Sequence, residues 1–161
     1  MPRSGLRPTS SNRPVFASPP GATLAIPPAR VHRAGMPRLL EHTPAGLHCA
    51  VGGFTIDPSR AVERAVITHA HADHARSGAK HVLTSASGAR LVRARVGERP
   101  VIQSLAFGEQ INLNGVLLSL HPAGHILGSA QVRLEYGGEV WVVTGDYKRG
   151  HDPTCEAFEP V

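Results

Sequence analysis

Four candidate metal ligands stand within six residues of the segment VITHAHADHARSG, residues 66–78: His69, His71, Asp73 and His74. Neutral imidazole and carboxylate are the ligands that zinc and similar divalent ions take in catalytic sites. His69 and His71 are two residues apart, so on an extended backbone their side chains project to the same side. A solvated polar turn is the alternative interpretation. Four donors at this spacing favour a site that serves two adjacent ions, with two ligands for each.

Two further segments supply candidates beyond predicted strands. HPAGHILGSA places His121 and His125 in a glycine-containing loop, and VVTGDYKRG places Asp146 just past an apolar strand. Side chains at strand ends and in loops carry function more often than those within strands. Taken alone, His125 could be a polar loop residue and Asp146 a turn former after Gly145. Together with the histidine cluster they complete a ligand pattern.

The elements that must position these donors are short strands separated by turns. The apolar run AVIT, residues 65–68, predicts a buried strand that ends at the cluster. Hairpins are predicted at Gly52-Gly53, Asn114-Gly115 and Gly137-Gly138. The other predicted strands are GLHCA, FTID, HVLT, VIQSL, QINL, VLLSLH, AQVRLEY and EVWVVTGD.

Two helices are expected between the strands. A short one begins at Asp73 and ends near Gly78, and a second lies within SASGARLVRARVG, where Ser85 or Ser87 would cap it. The core-facing side of the second helix would comprise Ala89, Leu91, Val92 and Val96. Its arginines could follow a nucleic-acid backbone, but an ordinary exposed face is the preferred interpretation of Arg90, Arg93, Arg95 and Arg99.

The amino-terminal part of the chain differs in composition from the rest. Residues 1–38 are rich in Pro, Arg and Ser without periodicity, which predicts a disordered tail. Translation starting at Met36 would remove most of it. Residues 1–40 contain six arginines and no acid, whereas residues 41–161 contain eleven Lys and Arg against twelve Asp and Glu. The basic pI of about 10.0 therefore reflects the tail and is not by itself an indication of nucleic-acid binding.

Two widely spaced cysteines argue against a disulfide framework or a thiolate zinc site. No apolar run reaches the ~20 residues of a membrane span, and no secretory signal is evident. We therefore expect a cytoplasmic protein that does not engage a membrane.

The combination of H-x-H-x-D-H after an apolar strand, AGHILGSA and TGDYKR resembles the metallo-β-lactamase fold. The sequences of the last two motifs are similar to those of its β-CASP nuclease branch. The segments GLHCAVGGFTIDP and GDYKRGHDPTCEAFEPV look most like the bacterial DNA-ligase-associated exonucleases. The resemblance covers residues 39–161. It implies an α+β fold, the αββα sandwich, of which this chain would hold a truncated, N-terminal half.

The resemblance also implies a role for each site residue. His69, His71 and His125 would bind a first metal, Asp73 and His74 a second, and Asp146 would bridge them. Asp73 and Asp146 are thus the expected catalytic carboxylates. Asp57 would orient the ligand histidines, with a turn cap as the alternative role. Lys148 and Arg149 are candidates for phosphate contact, and solvated charges beside a turn are the equal alternative.

The activity implied is metal-dependent phosphodiester hydrolysis, of the DNA exonuclease type associated with repair and ligation. Two divalent ions are expected, zinc by preference, with manganese or magnesium as alternatives. DNA is the favoured partner over RNA, and an ATP-dependent DNA ligase is a possible functional partner. The alternatives are an RNA-processing β-CASP nuclease, a glyoxalase II-like small-molecule hydrolase and a non-catalytic metal-binding fragment. Because the second metal site would lack one ligand in this chain, we expect weak or no activity from it alone.

Overall fold

The computed structural model of the protein describes residues 38–161. The tail predicted over residues 1–38 lies outside the described residues, apart from Arg38. Within the described part, ten strands and one helix form two sheets and a single outer helical layer.

The first sheet has six strands in chain order, and its direction changes partway across. β1, β2 and β3 pair antiparallel, whereas β3, β4, β5 and β6 pair parallel. The carboxyl ends of the four parallel strands therefore lie along one edge of the sheet. At that edge the chain leaves β4 and enters the histidine cluster. The strands are β1 (Glu41–Thr43), β2 (Gly46–Cys49), β3 (Phe54–Ile56), β4 (Arg64–Val66), β5 (His81–Ser85) and β6 (Val101–Leu105).

The second sheet is an antiparallel meander of four strands. Its order is β10-β9-β8-β7, so each strand pairs with its neighbour in sequence. The loop between β8 and β9 and the segment after β10 both carry candidate ligands. The strands are β7 (Gln110–Leu113), β8 (Val116–Pro122), β9 (Ala130–Tyr136) and β10 (Glu139–Val143).

The main hydrophobic core lies between the two sheets. Phe54 and Leu83 from the first sheet pack in one cluster with Leu118, Leu120 and Leu134 from the second. A smaller cluster covers the opposite face of the first sheet, where helix α1 (Ala89–Val96) packs on it. The described residues thus contain the helix–sheet–sheet part of the expected α+β sandwich. None of the helices in the described part of the chain has the length and apolar character of a membrane span.

The predicted hairpins are confirmed. Leu113 pairs with Val116 and Tyr136 with Glu139, which leaves two-residue loops at Asn114-Gly115 and Gly137-Gly138. Both residues of each loop have positive φ, as the tight turns that match strand twist require. The Gly52-Gly53 turn joins β2 to β3 as expected. Strand β1 was not predicted, because three residues, EHT, carry no alternating pattern.

The short helix expected from Asp73 to Gly78 is wrong, since these residues form turns. The His74 and Ala75 N–H groups both donate to the His71 carbonyl, and Arg76 Nε donates to the Asp73 carbonyl. The two backbone bonds close a single turn at His71. Six residues are also too few to offset helix nucleation.

Two details predicted for α1 are also wrong. Val92 and Val96 are buried, but Leu91 is exposed. Gly88 is the N-cap residue and no side chain caps the helix. Ser85 instead accepts a hydrogen bond from the Gly88 N–H and donates one to the Gly128 carbonyl, at 3.1 and 2.5 Å. Ser85 therefore connects the start of the helix to the β8–β9 loop.

The close packing of that loop on the helix start gives a prediction about Gly128. A Cβ there would overlap the Gly88 backbone, whereas a Cβ at Gly108 would meet nothing within 4 Å. The two φ values, +74° and +79°, are nearly equal, so Gly108→Ala is a matched control. In urea denaturation, Gly108→Ala should lower the free energy of unfolding by about 1–2 kcal/mol. Gly128→Ala should lower it by roughly 2–5 kcal/mol, because overlap adds to the conformational cost. Equal losses would contradict the packing described.

Candidate metal centre

Three separate segments bring potential metal ligands to one place. His69 and His71 follow β4, His125 lies in the β8–β9 loop, and Asp146 lies beyond β10. Each of these four side chains offers one ligand atom, and the four atoms all lie within 4.8 Å of one another.

The spacing of the nitrogens suits a single divalent ion. His71 Nδ1 is 3.0 Å from His69 Nε2 and 3.2 Å from His125 Nε2. Asp146 Oδ2 is 3.8 Å from His69 Nε2 and 3.7 Å from His125 Nε2. Two nitrogens on a tetrahedral zinc ion, each at ~2.0–2.1 Å, are about 3.3 Å apart. Three imidazoles and a carboxylate at these distances therefore fit zinc in both chemistry and geometry.

A second group of donors adjoins the first and shares one residue with it. His74 Nε2 is 3.5 Å from Asp146 Oδ1 and 3.7 Å from Asp73 Oδ2. The Asp146 carboxylate thus turns one oxygen toward His69 and His125 and the other toward His74. Asp73 is largely exposed, with 72% of its side chain accessible to solvent. Asp73, His74 and Asp146 are therefore the candidate ligands of a second position.

Asp57 lies behind both groups and accepts three hydrogen bonds. Its Oδ2 accepts from His74 Nδ1 at 2.7 Å and from the Thr68 hydroxyl at 2.6 Å, while Oδ1 accepts from the Thr68 N–H at 2.8 Å. With Nδ1 donating to the carboxylate, His74 presents Nε2 to Asp73 and Asp146. Carboxylates that hold ligand histidines in this way determine the tautomer and the ring orientation.

The same carboxylate acts on His69 through Thr68. The Thr68 hydroxyl has one proton, and because the Asp57 carboxylate only accepts, that proton is donated to Asp57. Thr68 Oγ1, 3.1 Å from His69 Nδ1, must then accept the Nδ1–H of His69. His69 Nε2 is left with its lone pair toward the other donors. Asp57 therefore orients one histidine of each group, directly for His74 and through a hydroxyl for His69.

Asp57 has φ +43°, in the left-handed region that few residues other than glycine adopt. Aspartate tolerates this conformation better than most residues. The neighbouring backbone is held by the Asp57 N–H, which donates to the Val66 carbonyl at 3.0 Å. The unusual backbone is thus maintained where the carboxylate is needed.

Burial and local charge shift the pKa values of the two histidines that Asp57 orients in opposite directions. Burial, with the neighbouring His74 as the next cause, lowers the pKa of His69 from 6.5 to about 4. The hydrogen bond to Asp57 is the largest cause that raises the pKa of His74 above 6.5. At neutral pH His69 is therefore in the unprotonated form that metal binding requires.

The loop that carries His125 is held by Ser129, which is buried. The Ser129 hydroxyl accepts hydrogen bonds from the His125 and Ile126 N–H groups, at 2.9 and 3.2 Å. The Ser129 backbone bonds to Ala123 and Ile126, so the turn is closed on both sides. The next residue, Ala130, donates its N–H to the Thr68 carbonyl and attaches the loop to the histidine segment of the first sheet.

The remaining predicted residues lie at the edge of the site. Lys148 Nζ is 2.9 Å from Asp152 Oδ2, so its charge already has a partner, whereas Arg149 is exposed. Gly124 is closely surrounded by other residues. A Cβ there would overlap the Lys148 carbonyl and the Phe158 N–H, so this glycine allows the carboxyl-terminal segment to pack on the His125 loop.

Sequence reasoning missed Thr68 and Ser129. Thr68 reads as an ordinary β-branched strand residue, and no spacing rule distinguishes it from its neighbours. Ser129 follows Gly128 in a loop, where a short polar residue that bonds the local backbone is a known turn signal. That signal could have identified Ser129 as part of the loop, although not its bond to His125.

Comparison with known proteins finds nuclease- and ligase-related sequences. No family model matches the chain. A probable DNA ligase of Opitutus terrae is 38% identical over 105 residues, which is 64% of this chain and 10% of that protein. The endoribonuclease YSH1 of Yarrowia lipolytica is 37% identical over 51 residues, 32% of this chain and 6% of that protein. The chain spans about a tenth or less of the length of these curated relatives.

Solved structures include the FEZ-1 metallo-β-lactamase from Legionella gormanii, at 22% identity and a TM-score of 0.41, covering 57% of this chain and 44% of that one. The sequence relatives, the two packed sheets and the donors at their shared edge confirm the resemblance to the metallo-β-lactamase fold and its β-CASP branch.

The two pKa shifts predict how the histidines titrate in metal-free protein. In an NMR pH titration, His69 should be half-protonated near pH 4 and His74 above its ordinary 6.5. Asp57→Asn should lower the pKa of His74, because an amide does not stabilise imidazolium as a carboxylate does. The surface variant Glu63→Gln should leave both midpoints in place. Protonation of His69 before His74 on acidification would contradict the assigned hydrogen bonds.

Proposed function

We propose that this chain carries the metal centre of a two-metal phosphodiester hydrolase that acts on nucleic acid. The observation that carries the proposal is the Asp146 carboxylate, which has one oxygen toward each donor group. A shared carboxylate of this kind suits two ions a few ångströms apart, the arrangement used in many phosphodiester hydrolases. The coarser conclusion, a metal-dependent hydrolase or nuclease, agrees with the relatives.

His69, His71, His125 and Asp146 would hold a first ion, and Asp73, His74 and Asp146 a second. Divalent ions bound here would supply Lewis acidity and lower the pKa of a water molecule at neutral pH. The chain's own contribution is to keep His69 unprotonated through burial, to orient His69 and His74 through Asp57, and to hold Asp146 between the groups. Zinc suits imidazole and carboxylate donors best, with manganese or magnesium as alternatives.

The second position is expected to bind more weakly than the first. Three imidazoles and a carboxylate surround the first position, whereas one imidazole and two carboxylates line the second, and one of those is largely exposed. Because metal affinity follows ligand number and burial, the second ion should exchange readily. Slow turnover is therefore expected from this chain alone.

Positive charge beside the donors supports an anionic substrate. Arg95 Nε donates to the Ala70 carbonyl at 3.2 Å and Arg76 Nε to the Asp73 carbonyl at 3.3 Å. A carbonyl carries no formal charge, so neither bond neutralises its guanidinium group. Both arginines flank the ligand segment, and with exposed Arg149 they suit the phosphates of a polynucleotide.

DNA is the favoured substrate, because the longer similarity is to a protein named as a probable DNA ligase. We propose an exonuclease that acts with such a ligase in DNA repair, in the cytoplasm. RNA cleavage is the second candidate, supported by the relative named as an endoribonuclease.

The test is hydrolysis by the metal-loaded chain of end-labelled DNA, RNA of the same sequence and a thioester. We expect slow DNA cleavage that requires the divalent ion. Asp146→Asn should reduce the rate by more than about 100-fold, since loss of a shared ligand should exceed the 10–100-fold cost of losing an outer-shell partner. The control Glu156→Gln changes an exposed carboxylate in the same segment and should leave the rate unchanged.

Preferential cleavage of RNA would select the second candidate. Faster hydrolysis of the thioester, or DNA cleavage that persists in Asp146→Asn, would overturn the proposed function.

A further inference from the structure

An aromatic side chain lies exposed next to the metal centre. Tyr147 directly follows Asp146, and 54% of it is accessible to solvent. Among the phenylalanine, tyrosine and tryptophan residues of 38–161, it is the one most exposed. A single exposed apolar side chain is ordinary on a protein surface, so what distinguishes Tyr147 is its position directly beside a candidate metal ligand.

The Tyr147 ring is supported from one side by a second aromatic ring. The centroids of Tyr147 and Phe158 are 5.4 Å apart and their planes are inclined by 40°. This is a favourable separation for an aromatic pair and restricts the motion of the exposed ring. A rigid ring with a solvent-facing surface loses little conformational entropy when a flat ligand stacks on it.

The pair is also attached to the loop that carries His125. The Lys148 N–H donates to the Ala123 carbonyl at 2.9 Å, and the Phe158 backbone packs against Gly124. Asp146 and Tyr147 are consecutive residues, so their Cα atoms are ~3.8 Å apart. A nucleotide that adjoins a phosphodiester held at the donors would therefore lie beside the backbone of Tyr147.

We propose that Tyr147, backed by Phe158, is a stacking platform for a nucleobase next to the phosphodiester bound at the metal centre. The inference rests on the proposed function and deepens it, since it names the substrate as a base-bearing single strand and not a phosphodiester of any kind. Stacking on an aromatic ring accepts every base, so the platform adds affinity without sequence preference.

The test measures binding of two labelled strands of equal length by fluorescence anisotropy, with zinc present and with phosphorothioate linkages in both strands to suppress hydrolysis. One is oligothymidylate and the other is its abasic counterpart, which has the same phosphates and no bases. Tyr147→Ala should weaken binding of oligothymidylate by at least about fivefold and leave the abasic strand unchanged. Tyr147→Phe should bind like the original protein, because the hydroxyl is not needed for stacking.

Two further variants separate stacking from folding. Tyr147→Leu retains an apolar contact with Phe158 but has no aromatic face, and it should behave like Tyr147→Ala. Val140→Ala, an exposed apolar residue on β10, should change neither affinity. Equal binding of both strands by the original protein, or equal losses for both strands in Tyr147→Ala, would overturn the proposal.

This result is independent of the hydrolysis assay. Base-dependent binding together with faster thioester hydrolysis, or with cleavage that persists in Asp146→Asn, would refute the proposed function and leave the platform, whereas Asp146-dependent cleavage without base-dependent binding would do the reverse.

Discussion

The site depends on the hydrogen bonds that the Asp57 carboxylate accepts from His74 and Thr68. An imidazole binds metal through one nitrogen, and the partner of the other nitrogen decides which one is free. Asp57 makes that choice for His74 directly and for His69 through the Thr68 hydroxyl. Without it, both rings could rotate or exchange tautomers, and Nε2 of each would no longer face Asp146.

Residues from both sheets contribute to or contact this hydrogen-bond network. Asp57 follows β3 and Thr68 follows β4, and because these strands are parallel, both residues emerge at the same edge. The second sheet reaches the same point through Ala130, which donates to the Thr68 carbonyl, and through Gly145, whose lack of a side chain lets it pack on Thr68. Asp146 follows immediately. Contacts to Thr68 from both sheets therefore bring the donors of the two sheets together.

Much of this arrangement could be predicted from local sequence, and the rest depended on tertiary contacts. Asn114-Gly115 and Gly137-Gly138 defined two hairpins because tight turns demand positive φ. The spacing of His69, His71 and Asp73 favoured metal chemistry over a solvated turn, because all three donors belong to one short segment.

The failures have physical causes as well. The expected helix after Asp73 gave way to turns because a six-residue segment forms too few helical hydrogen bonds to offset nucleation. Tyr147 and Phe158 are eleven residues apart in irregular chain, so no periodicity brings them together. Thr68 acts through one hydroxyl hydrogen bond, which leaves no mark in hydrophobic patterning.

The most direct test is the zinc affinity of three proteins, measured by competition with a chromophoric chelator: the original chain, Asp57→Asn and Glu63→Gln. Asp57 is not one of the ligands, so any effect of its replacement must pass through the histidines that it orients. We predict that Asp57→Asn binds zinc about 10–100-fold more weakly, while the folded fraction is unchanged and Glu63→Gln binds as the original chain does. Unchanged zinc affinity in Asp57→Asn would show that the histidines are positioned without this carboxylate and would contradict the account.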